Sequence, residues 1–231
     1  MWHWYKTLVN KIISVTCDQA YKRINIKEVA ENMVNEPSYL PQEYGWIEVI
    51  CGGMFSGKTE ELIRRARRSQ IAGQQVLVIK PSVDNRYSSS DVVSHDQSTI
   101  PSRVVKNVEE IIDISADFRV ICIDEAQFFD NDLLSIVNEL ANNNKRVIIA
   151  GLDMDYEGKP FGPMPYLLAI AEFVTKLHAI CTKSGMLASY SQRVIDSDSQ
   201  VLVGEYDAYE PRARHCFTAG VDKRSKQQKD Y

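Results

Sequence analysis

A glycine-rich loop that ends in lysine and threonine contains the residues whose types and spacing most favour chemistry. They match G-x-x-x-x-G-K-[ST], in which backbone N–H groups surround a phosphate at the N-terminus of the next helix. The loop follows an apolar, strand-like run and precedes an amphipathic stretch, so a chance match in a glycine-containing turn is the weaker interpretation. The predicted phosphate-binding residues are Gly52, Gly53, Met54, Phe55, Ser56, Gly57, Lys58 and Thr59.

A pair of adjacent carboxylates, Asp124 and Glu125, follows the apolar run 120–123. A carboxylate at the carboxyl end of a buried strand projects into the crevice where open α/β sheets bind ligands. Asp124 and the Thr59 hydroxyl are therefore predicted to hold Mg²⁺, while Lys58 reaches the β- and γ-phosphates of ATP. Glu125 could accept a proton from an attacking hydroxyl or water. The alternative is that both acids only cap the next helix.

Short runs rich in valine and isoleucine alternate with helical patterns along the middle of the chain. Each run is apolar on both faces, which is typical of strands buried in a parallel sheet. The pattern predicts an α/β fold of the P-loop NTPase-like (RecA-like) type, with a mostly parallel sheet flanked by helices. The predicted strands are 46–51, 75–80, 119–124 and 146–151, and the predicted helices are 58–72 and 131–142.

The first predicted helix combines an apolar stripe with four arginines. Glu60 and Glu61 in its first turn offer the arginines acidic partners one turn away. A solvated helix face or a subunit contact is therefore favoured over a nucleic-acid surface. The predicted stripe is Leu62, Ile63, Ala66 and Ile71, and the arginines are Arg64, Arg65, Arg67 and Arg68.

The character of the sequence changes on both sides of the α/β segment. Residues 1–44 are a predicted N-terminal extension of unknown role, for which an interaction arm, a targeting segment and an upstream start codon are all open. Residues 45–175 are the predicted nucleotide-binding domain. Residues 176–221 consist of short, turn-rich segments and form a predicted small second domain, and residues 222–231 form a polar, disordered tail.

The composition is that of a soluble globular protein. The 231 residues carry a formal net charge of −4 and a sequence pI of about 5.6, so no domain-wide basic field attracts nucleic acid. Five cysteines, an odd number, favour a reducing compartment over a disulfide framework. No apolar run reaches the roughly 18 residues of a membrane span. These features predict a cytoplasmic protein without nucleic-acid or membrane partners.

Four stretches of the sequence occur in an order that is typical of one enzyme family. They are GGMFSGKT at 52–59, DEAQFF at 124–129, KPFGPM at 159–164, and a C-terminal segment in which Gly204, Asp207 and Tyr209 precede ARHC at 213–216. Together they resemble the cellular-type (type II) thymidine kinases over roughly residues 46–221. The resemblance implies an ATP-dependent nucleoside kinase for nucleotide salvage, which phosphorylates the 5′-hydroxyl of thymidine to dTMP. It also implies a small lasso/zinc-ribbon-like C-terminal domain, a homotetramer and feedback inhibition by dTTP.

The resemblance assigns roles to individual residues of the ATP site. Glu125 is implied as the general base that removes the proton from the 5′-hydroxyl of thymidine. Asp124 and Thr59 are implied to organise Mg²⁺, and Lys58 with the loop amides to hold the phosphates of ATP. The other residues that the resemblance places in the ATP site are Ala126, Gln127 and Arg86.

For the nucleoside, the resemblance implies a pocket with an apolar wall. Phe128 is implied to stack on the thymine ring with Met54 and Phe161 beside it, because a base needs a flat apolar surface. Phe129 is assigned to the core instead. A lasso segment is implied to bind the base through backbone groups, and Tyr209 to close over the nucleoside. The lasso residues are Val201, Leu202, Val203 and Gly204.

The family commonly carries a structural zinc on two pairs of cysteines, and this chain departs from that pattern. One pair reads Cys181 and Ser184, and the other reads Ala213 and Cys216. A tetrahedral Zn²⁺ site takes four nitrogen or sulfur ligands, so only a degenerate site remains. The alternative is that the two cysteines are small packing residues. The candidate replacement ligands are His178 and His215, neither of which has the ordinary spacing.

Two other functions compete with the kinase. In a P-loop ATPase module of a DNA-handling machine, Glu125 would activate water, but such a module is expected to have a basic groove or further domains. A nucleotide-bound regulator would not need the complete set of Lys58, Thr59, Asp124 and Glu125. The thymidine kinase is therefore the prediction, since fold alone does not decide function.

Overall fold

The centre of the protein is a six-stranded sheet in which every pairing is parallel. The computed structural model describes residues 44–82, 91–93, 99–195 and 208–222. The spatial order of the sheet is β5-β2-β6-β7-β1-β8, and β3 and β4 form a separate antiparallel pair. In chain order the strands are β1 (Trp46–Cys51), β2 (Val76–Pro81), β3 (Asp91–Val93), β4 (Thr99–Pro101), β5 (Arg103–Val105), β6 (Val120–Ile123), β7 (Arg146–Gly151) and β8 (Phe173–Lys176).

Helices cover both faces of this sheet, and each face has its own apolar core. One face packs on α1 (Lys58–Ile71). The other packs on α2 (Glu110–Ile114), α3 (Leu133–Asn142) and α4 (Met164–Ile170). The strands are apolar throughout because both of their faces are buried. The predicted α/β fold with a mostly parallel sheet flanked by helices is therefore confirmed.

At the C-terminal end of α1, the buried face differs from the predicted apolar stripe. Leu62, Ile63 and Ala66 are buried against the sheet, but Ile71 is 86% exposed. Ile71 lies nine positions after Leu62, which at 3.6 residues per turn places it about 180° around the helix. The prediction that Ile71 belongs to the buried stripe is wrong for this reason. Ser69 lies on the buried face in its place.

The four arginines of α1 do not share one environment. Arg64, Arg67 and Arg68 are exposed, as a solvated face requires. Arg65 is only 1% exposed, because its position between Glu61 and Ser69 turns it towards the sheet. For Arg65 the prediction of a solvated face is wrong.

Arg65 is buried together with a carboxylate on the first strand. Glu48 lies in β1 with no exposed surface. It accepts hydrogen bonds from Arg65 Nη1 at 2.8 Å, from Arg146 Nε at 2.6 Å and from Trp46 Nε1 at 2.7 Å. Arg65 also donates to Glu61 Oε1 at 2.8 Å. A buried charge needs such partners, so this cluster links α1 to two strands of the sheet.

The part of the chain after β8 is built differently, and residues 177–195 with 208–222 are named the C-terminal lobe. It contains two antiparallel pairs, β9 (Ala179–Ile180) with β10 (Leu187–Ala188) and β11 (Tyr190–Arg193) with β12 (Tyr209–Arg212). All described residues fall in one unit of contacts, Pro41–Tyr231. The predicted domain boundaries stay a prediction.

Polar and aromatic side chains hold the lobe together. Gln192 is fully buried, donates to Gly220 O at 2.8 Å and accepts from Thr218 N at 2.9 Å. The rings of Tyr190 and Phe217 stack with their centroids 4.4 Å apart. The apolar cluster of the lobe consists of small side chains, so its packing alone buries little surface. This cluster is Ala179, Cys181, Ala188 and Ala213.

Within the described ranges, no helix combines the length and the apolar character that crossing a membrane requires.

Candidate active site

The topology of the sheet brings the glycine-rich loop and the acidic pair to the same edge. The loop follows β1, the acids follow β6, and β7 lies between these two strands. Because all three strands are parallel, their carboxyl ends meet at one edge, where α/β sheets bind ligands. The Thr59 hydroxyl donates to Asp124 Oδ2 at 3.2 Å. Residues 52–59 and 124–128 are named the nucleotide edge.

Two glycines of the loop stand where other residues would be strained. Gly52 has φ of 141°, and a Cβ there would lie 2.3 Å from the carbonyl oxygen of Leu177. Gly57 has φ of 85°, in the left-handed region, directly before α1 begins at Lys58. A side chain at either position would clash or force the backbone out of this turn. The spacing of the glycines therefore follows from the shape of the loop.

The Lys58 ammonium lies inside the loop. Its Nζ donates to the carbonyl oxygen of Gly53 at 2.8 Å, and the Ser56 hydroxyl donates to the same oxygen at 2.8 Å. The N-terminus of α1 directs its backbone N–H groups and its positive dipole end towards the same space. A lysine and a helix N-terminus in this arrangement suit the phosphates of a nucleotide.

The C-terminal lobe contacts the loop at two adjacent residues. The backbone N–H of Met54 donates to Ser191 Oγ at 2.9 Å. Phe55, at φ of 64°, packs against the small apolar cluster of the lobe. A positive φ is uncommon for a large side chain, so tertiary contacts must hold it. The lobe supplies those contacts and so helps to set the shape of the phosphate loop.

Asp124 is held from three sides at the end of β6. It is 4% exposed, and its backbone N–H donates to Ile79 O at 2.9 Å. Its Oδ1 accepts from Glu125 N at 3.0 Å, and its Oδ2 accepts from the Thr59 hydroxyl. Carboxylate and hydroxyl oxygens are ligands that Mg²⁺ takes beside nucleotide phosphates, so these residues fit the ion.

Glu125 lies at a sharp turn directly after Asp124. Its φ of 52° is in the left-handed region, and the chain then enters a short 3₁₀ turn, Ala126–Phe128. The side chain is half-buried, and one carboxylate oxygen, Oε2, accepts a hydrogen bond from Gln127 Nε2. Strained backbone at a carboxylate beside a phosphate loop is typical of a functional position.

The aromatic residues after Glu125 lie in two different environments. The rings of Phe128 and Phe161 meet edge to face with centroids 5.9 Å apart. Phe129 belongs to the apolar core under α3, where the sequence placed it. Phe128 and Phe161 are both partly exposed, so they offer an apolar surface beside the nucleotide edge.

Tyr209 lies in β12 and is buried rather than open to solvent. Its hydroxyl accepts a hydrogen bond from Arg193 Nη2 at 2.8 Å. The Arg193 guanidinium also lies over the ring of Tyr156, 3.7 Å from its centroid. The other predicted substrate and ATP residues of this region, Arg86, Val201, Leu202, Val203 and Gly204, lie outside the described residues.

The two cysteine pairs of the lobe do not form a four-ligand metal site. Burial by itself raises the pKa of the Cys181 thiol, but hydrogen bonds from the Ser184 hydroxyl and from nearby backbone N–H groups lower it to about 6. Ala213, one of these backbone donors, has no ligating side-chain atom. His178 Nδ1 lies 3.1 Å from Ser189 Oγ. Among the described residues, no group of three or more histidine, cysteine or acidic side chains could hold a metal ion.

Two further cysteines lie in the sheet below the nucleotide edge. Burial raises the pKa of the Cys51 thiol to about 11, with the nearby Asp153 carboxylate adding to the effect. Burial likewise raises the pKa of the Cys122 thiol to about 12. Both thiols are protonated near neutral pH, so neither is a nucleophile there.

Two elements of the site were missed at the level of sequence. Ser191, which accepts from the loop, is 137 residues away from Met54 in the chain. Asp153, at the carboxyl end of β7, pairs with Lys176 at 2.6 Å, and this hydrogen bond raises the pKa of the lysine. Ser191 lies in the run SQR at 191–193, and nothing in these residue types indicates its partner.

A parallel sheet with this loop and acidic pair at its carboxyl edge defines a P-loop nucleotide-binding protein. The family model described as "Thymidine kinase" matches residues 45–217. The chain therefore belongs to the thymidine kinase family.

Individual relatives agree with this assignment. A thymidine kinase of Rhodothermus sp. (strain ITI 518) is 57% identical over 173 residues, which are 75% of this chain and 81% of that protein. A thymidine kinase of Bacteroides fragilis (strain YCH46) is 57% identical over 179 residues, which are 78% of this chain and 90% of that protein.

One solved structure shows a weaker likeness. It is described as a DNA replication initiation factor and covers 66% of this chain and 43% of its own. The identity is 14% and the TM-score 0.39, values too low to support a statement about function.

Proposed function

We propose that this protein transfers the γ-phosphate of ATP to the 5′-hydroxyl of thymidine, with Glu125 as the general base, and releases ADP and dTMP. The observation that carries the proposal is the nucleotide edge itself. Thr59 and Asp124 meet there at 3.2 Å, and Glu125 directly follows Asp124 at the same edge of the sheet. Membership in the thymidine kinase family supports the choice of acceptor.

The phosphates of ATP are bound by the loop and by the start of α1. Lys58 exchanges its hydrogen bond with the Gly53 carbonyl for contacts to the β- and γ-phosphates. Loop N–H groups and the helix dipole favour the remaining negative charge. Thr59 and Asp124 would hold Mg²⁺, which when bound would neutralise the charge that develops on the transferred phosphoryl group.

Glu125 removes the proton of the attacking hydroxyl. Asp124 is engaged by Thr59 and by the Glu125 N–H, so Glu125 is the carboxylate of the pair that suits proton transfer. The O–H bond of thymidine breaks as the new O–P bond forms, and the proton passes to Glu125. The bond between the γ-phosphorus and the bridging oxygen breaks, and ADP leaves.

The thymine ring lies against the edge-to-face pair of Phe128 and Phe161. Met54 completes this wall from the phosphate loop, and the Ser191 hydroxyl fixes its backbone. The lasso, Val201 to Gly204, binds the base through backbone groups, and Tyr209 closes over the nucleoside from its anchored position on Arg193. An apolar wall with a few polar contacts is the usual composition of such a pocket.

Four broader features belong to the same proposal. The protein acts as a homotetramer, is inhibited by dTTP and works in the cytoplasm, as the family resemblance and the free thiols of the described cysteines support. It folds without a structural zinc, because Ser184 and Ala213 occupy two of the four ligand places. Light scattering and dTTP titration of the activity measure the first two features directly.

A coupled assay of ADP release, run with each nucleoside in turn, tests the proposed activity. ADP release should depend on thymidine and be close to background with deoxycytidine or with no nucleoside. ATP consumption that does not depend on any nucleoside would overturn the proposal and favour a P-loop ATPase. Light scattering and dTTP inhibition are then measured on the same preparation.

A further inference from the structure

The buried amide of Gln127 connects the acidic pair to the neighbouring strand. The side chain is 2% exposed and lies in the 3₁₀ turn directly after Glu125. Its Nε2 donates to Glu125 Oε2, and its Oε1 accepts from the backbone N–H of Leu152 at 2.9 Å. Leu152 is the first residue after β7, so the amide spans the carboxyl ends of two adjacent strands.

Only one orientation of this amide satisfies both neighbours. A backbone N–H can only donate, so the atom that faces Leu152 must be the carbonyl oxygen. An ionised carboxylate can only accept, so the atom that faces Glu125 must be the NH₂ group. The backbone of β7 therefore fixes the direction in which Gln127 presents its donor to Glu125.

Two glycines show how closely the surroundings fit this side chain. A Cβ on Gly151 would lie 2.9 Å from Gln127 Oε1 and 2.6 Å from Met164 Sδ. A Cβ on Gly162, where φ is 50°, would lie 2.4 Å from the Gln127 carbonyl oxygen. The position of Gln127 is thus set by β7 on one side and by the segment that carries Phe161 on the other.

We propose that Gln127 is a positioning residue for phosphoryl transfer, which holds the Glu125 carboxylate in the orientation that accepts the 5′-hydroxyl proton. The inference rests on the proposed function and changes the sequence-based assignment of Gln127 from the ATP site to the base. The hydrogen bond from the Gln127 amide to Oε2 restricts rotation of the Glu125 carboxylate. It therefore also restricts the position of the second carboxylate oxygen.

Two substitutions separate orientation from packing. Gln127→Met keeps a similar volume but removes both hydrogen bonds. Gln127→Glu keeps an acceptor for Leu152 but has no NH₂ group to donate to Glu125. Single-turnover phosphorylation of thymidine is measured with ATP at saturation, so that product release does not mask the transfer step, and the dissociation constants of ATP and thymidine are measured alongside it.

The expected rate of transfer falls about 10- to 100-fold in Gln127→Met, with the affinity for ATP unchanged. The transfer rate should fall at least as far in Gln127→Glu, although the acceptor for Leu152 is kept, and the affinity for thymidine should stay unchanged in both variants. A loss of transfer rate without a loss of substrate affinity is the signature of an effect on the base.

Gln192→Met is the matched control, since Gln192 is also fully buried and also bonded at both ends, to Gly220 and Thr218. It is expected to lower the melting temperature without lowering the rate of transfer. If both Gln127 variants keep the wild-type rate of transfer and lose only thermal stability, Gln127 is a packing residue and the inference is wrong. If the wild-type protein itself fails to phosphorylate thymidine, the proposed function fails instead.

Discussion

The nucleotide edge and the C-terminal lobe are two adjacent regions that are built on opposite principles. The edge is formed by backbone at the ends of parallel strands, with an apolar core on each face of the sheet below it. The lobe has two short antiparallel pairs and a core of small side chains, so buried polar groups such as Gln192 and Arg193 hold it together. The nucleotide edge thus lies on a sheet that is buried on both faces, and the less regular lobe contacts it at the phosphate loop.

The two regions meet at Met54 and Phe55. The Ser191 hydroxyl accepts from Met54 N–H, and the lobe's apolar cluster receives the Phe55 ring. The lobe therefore contacts the phosphate loop at these two residues, and at Gly52 through the Leu177 carbonyl, and so helps to set its shape. The effects of substitutions should follow this division. A substitution at the nucleotide edge should change the rate of transfer, one in the sheet should change the free energy of unfolding, and one in the lobe should change the affinity for ATP.

The largest effect is expected from Glu125→Gln at the nucleotide edge. The amide cannot accept the 5′-hydroxyl proton, so transfer to thymidine should fall about 10²- to 10⁴-fold. ATP affinity should be kept, because the loop and Asp124 are unchanged. Single-turnover kinetics and nucleotide binding are measured on the same preparation, and near-wild-type transfer would show that Glu125 is not the base.

The next largest effect is expected in the sheet, from Glu48→Gln. The neutral amide leaves Arg65 and Arg146 with a weaker partner in a buried site. Breaking a buried ion pair from one side lowers the free energy of unfolding by about 3–5 kcal/mol. Urea unfolding measures the change, and Glu139→Gln on the exposed face of α3 is the control. A loss no larger than that of the control would show that the cluster contributes little to the fold.

A smaller effect is expected where the lobe meets the loop, from Ser191→Ala. Loss of the hydrogen bond to Met54 N–H should weaken ATP binding about 2- to 12-fold, since such a bond contributes roughly 0.5–1.5 kcal/mol. Ser189→Ala removes the serine that neighbours His178 in the same lobe and should leave ATP affinity unchanged. Equal effects of the two substitutions on ATP affinity would show that the hydrogen bond from Met54 N–H to Ser191 has no specific role in ATP binding.

The smallest effect is expected from removal of metal with EDTA in the absence of nucleotide. The described residues contain no cluster of three or more histidine, cysteine or acidic side chains that could hold a metal ion, so the melting temperature should not change and metal analysis should find far less than one zinc per chain. The double substitution Ser184→Cys with Ala213→Cys restores four thiol positions and should bind zinc. A large loss of stability of the wild-type protein with EDTA would contradict the proposal and direct attention to His178 or His215.

Local features of the sequence predicted the sheet and the nucleotide edge well. The four predicted strands all exist, shifted by at most one residue at either end, because β-branched apolar runs are a strong local signal. The loop glycines were predicted for a similar reason, since a phosphate loop restricts several neighbouring residues at once. The strands β5 and β8 were not predicted, because their short runs lack such a signal.

Features that depend on contacts distant in the chain could not be predicted. The partner of the buried Arg65 is Glu48 on another element, and the role of Ser191 follows from a loop 137 residues away. The link between Gln127 and Glu125 is local, but its meaning depends on Leu152 and on two glycines, Gly151 at the end of β7 and Gly162. Periodicity also failed at Ile71, where nine residues carry the side chain about half a turn away from the buried stripe.

The central claim is that the acceptor at Glu125 is the 5′-hydroxyl of a nucleoside and not water. The most direct test follows the fate of a label on the γ-phosphate of ATP, with wild-type protein, Mg²⁺ and excess thymidine. The account predicts that the label appears in thymidine 5′-monophosphate in step with ADP formation, and that without thymidine it stays in ATP. Label released as inorganic phosphate at the same rate with and without thymidine would contradict it.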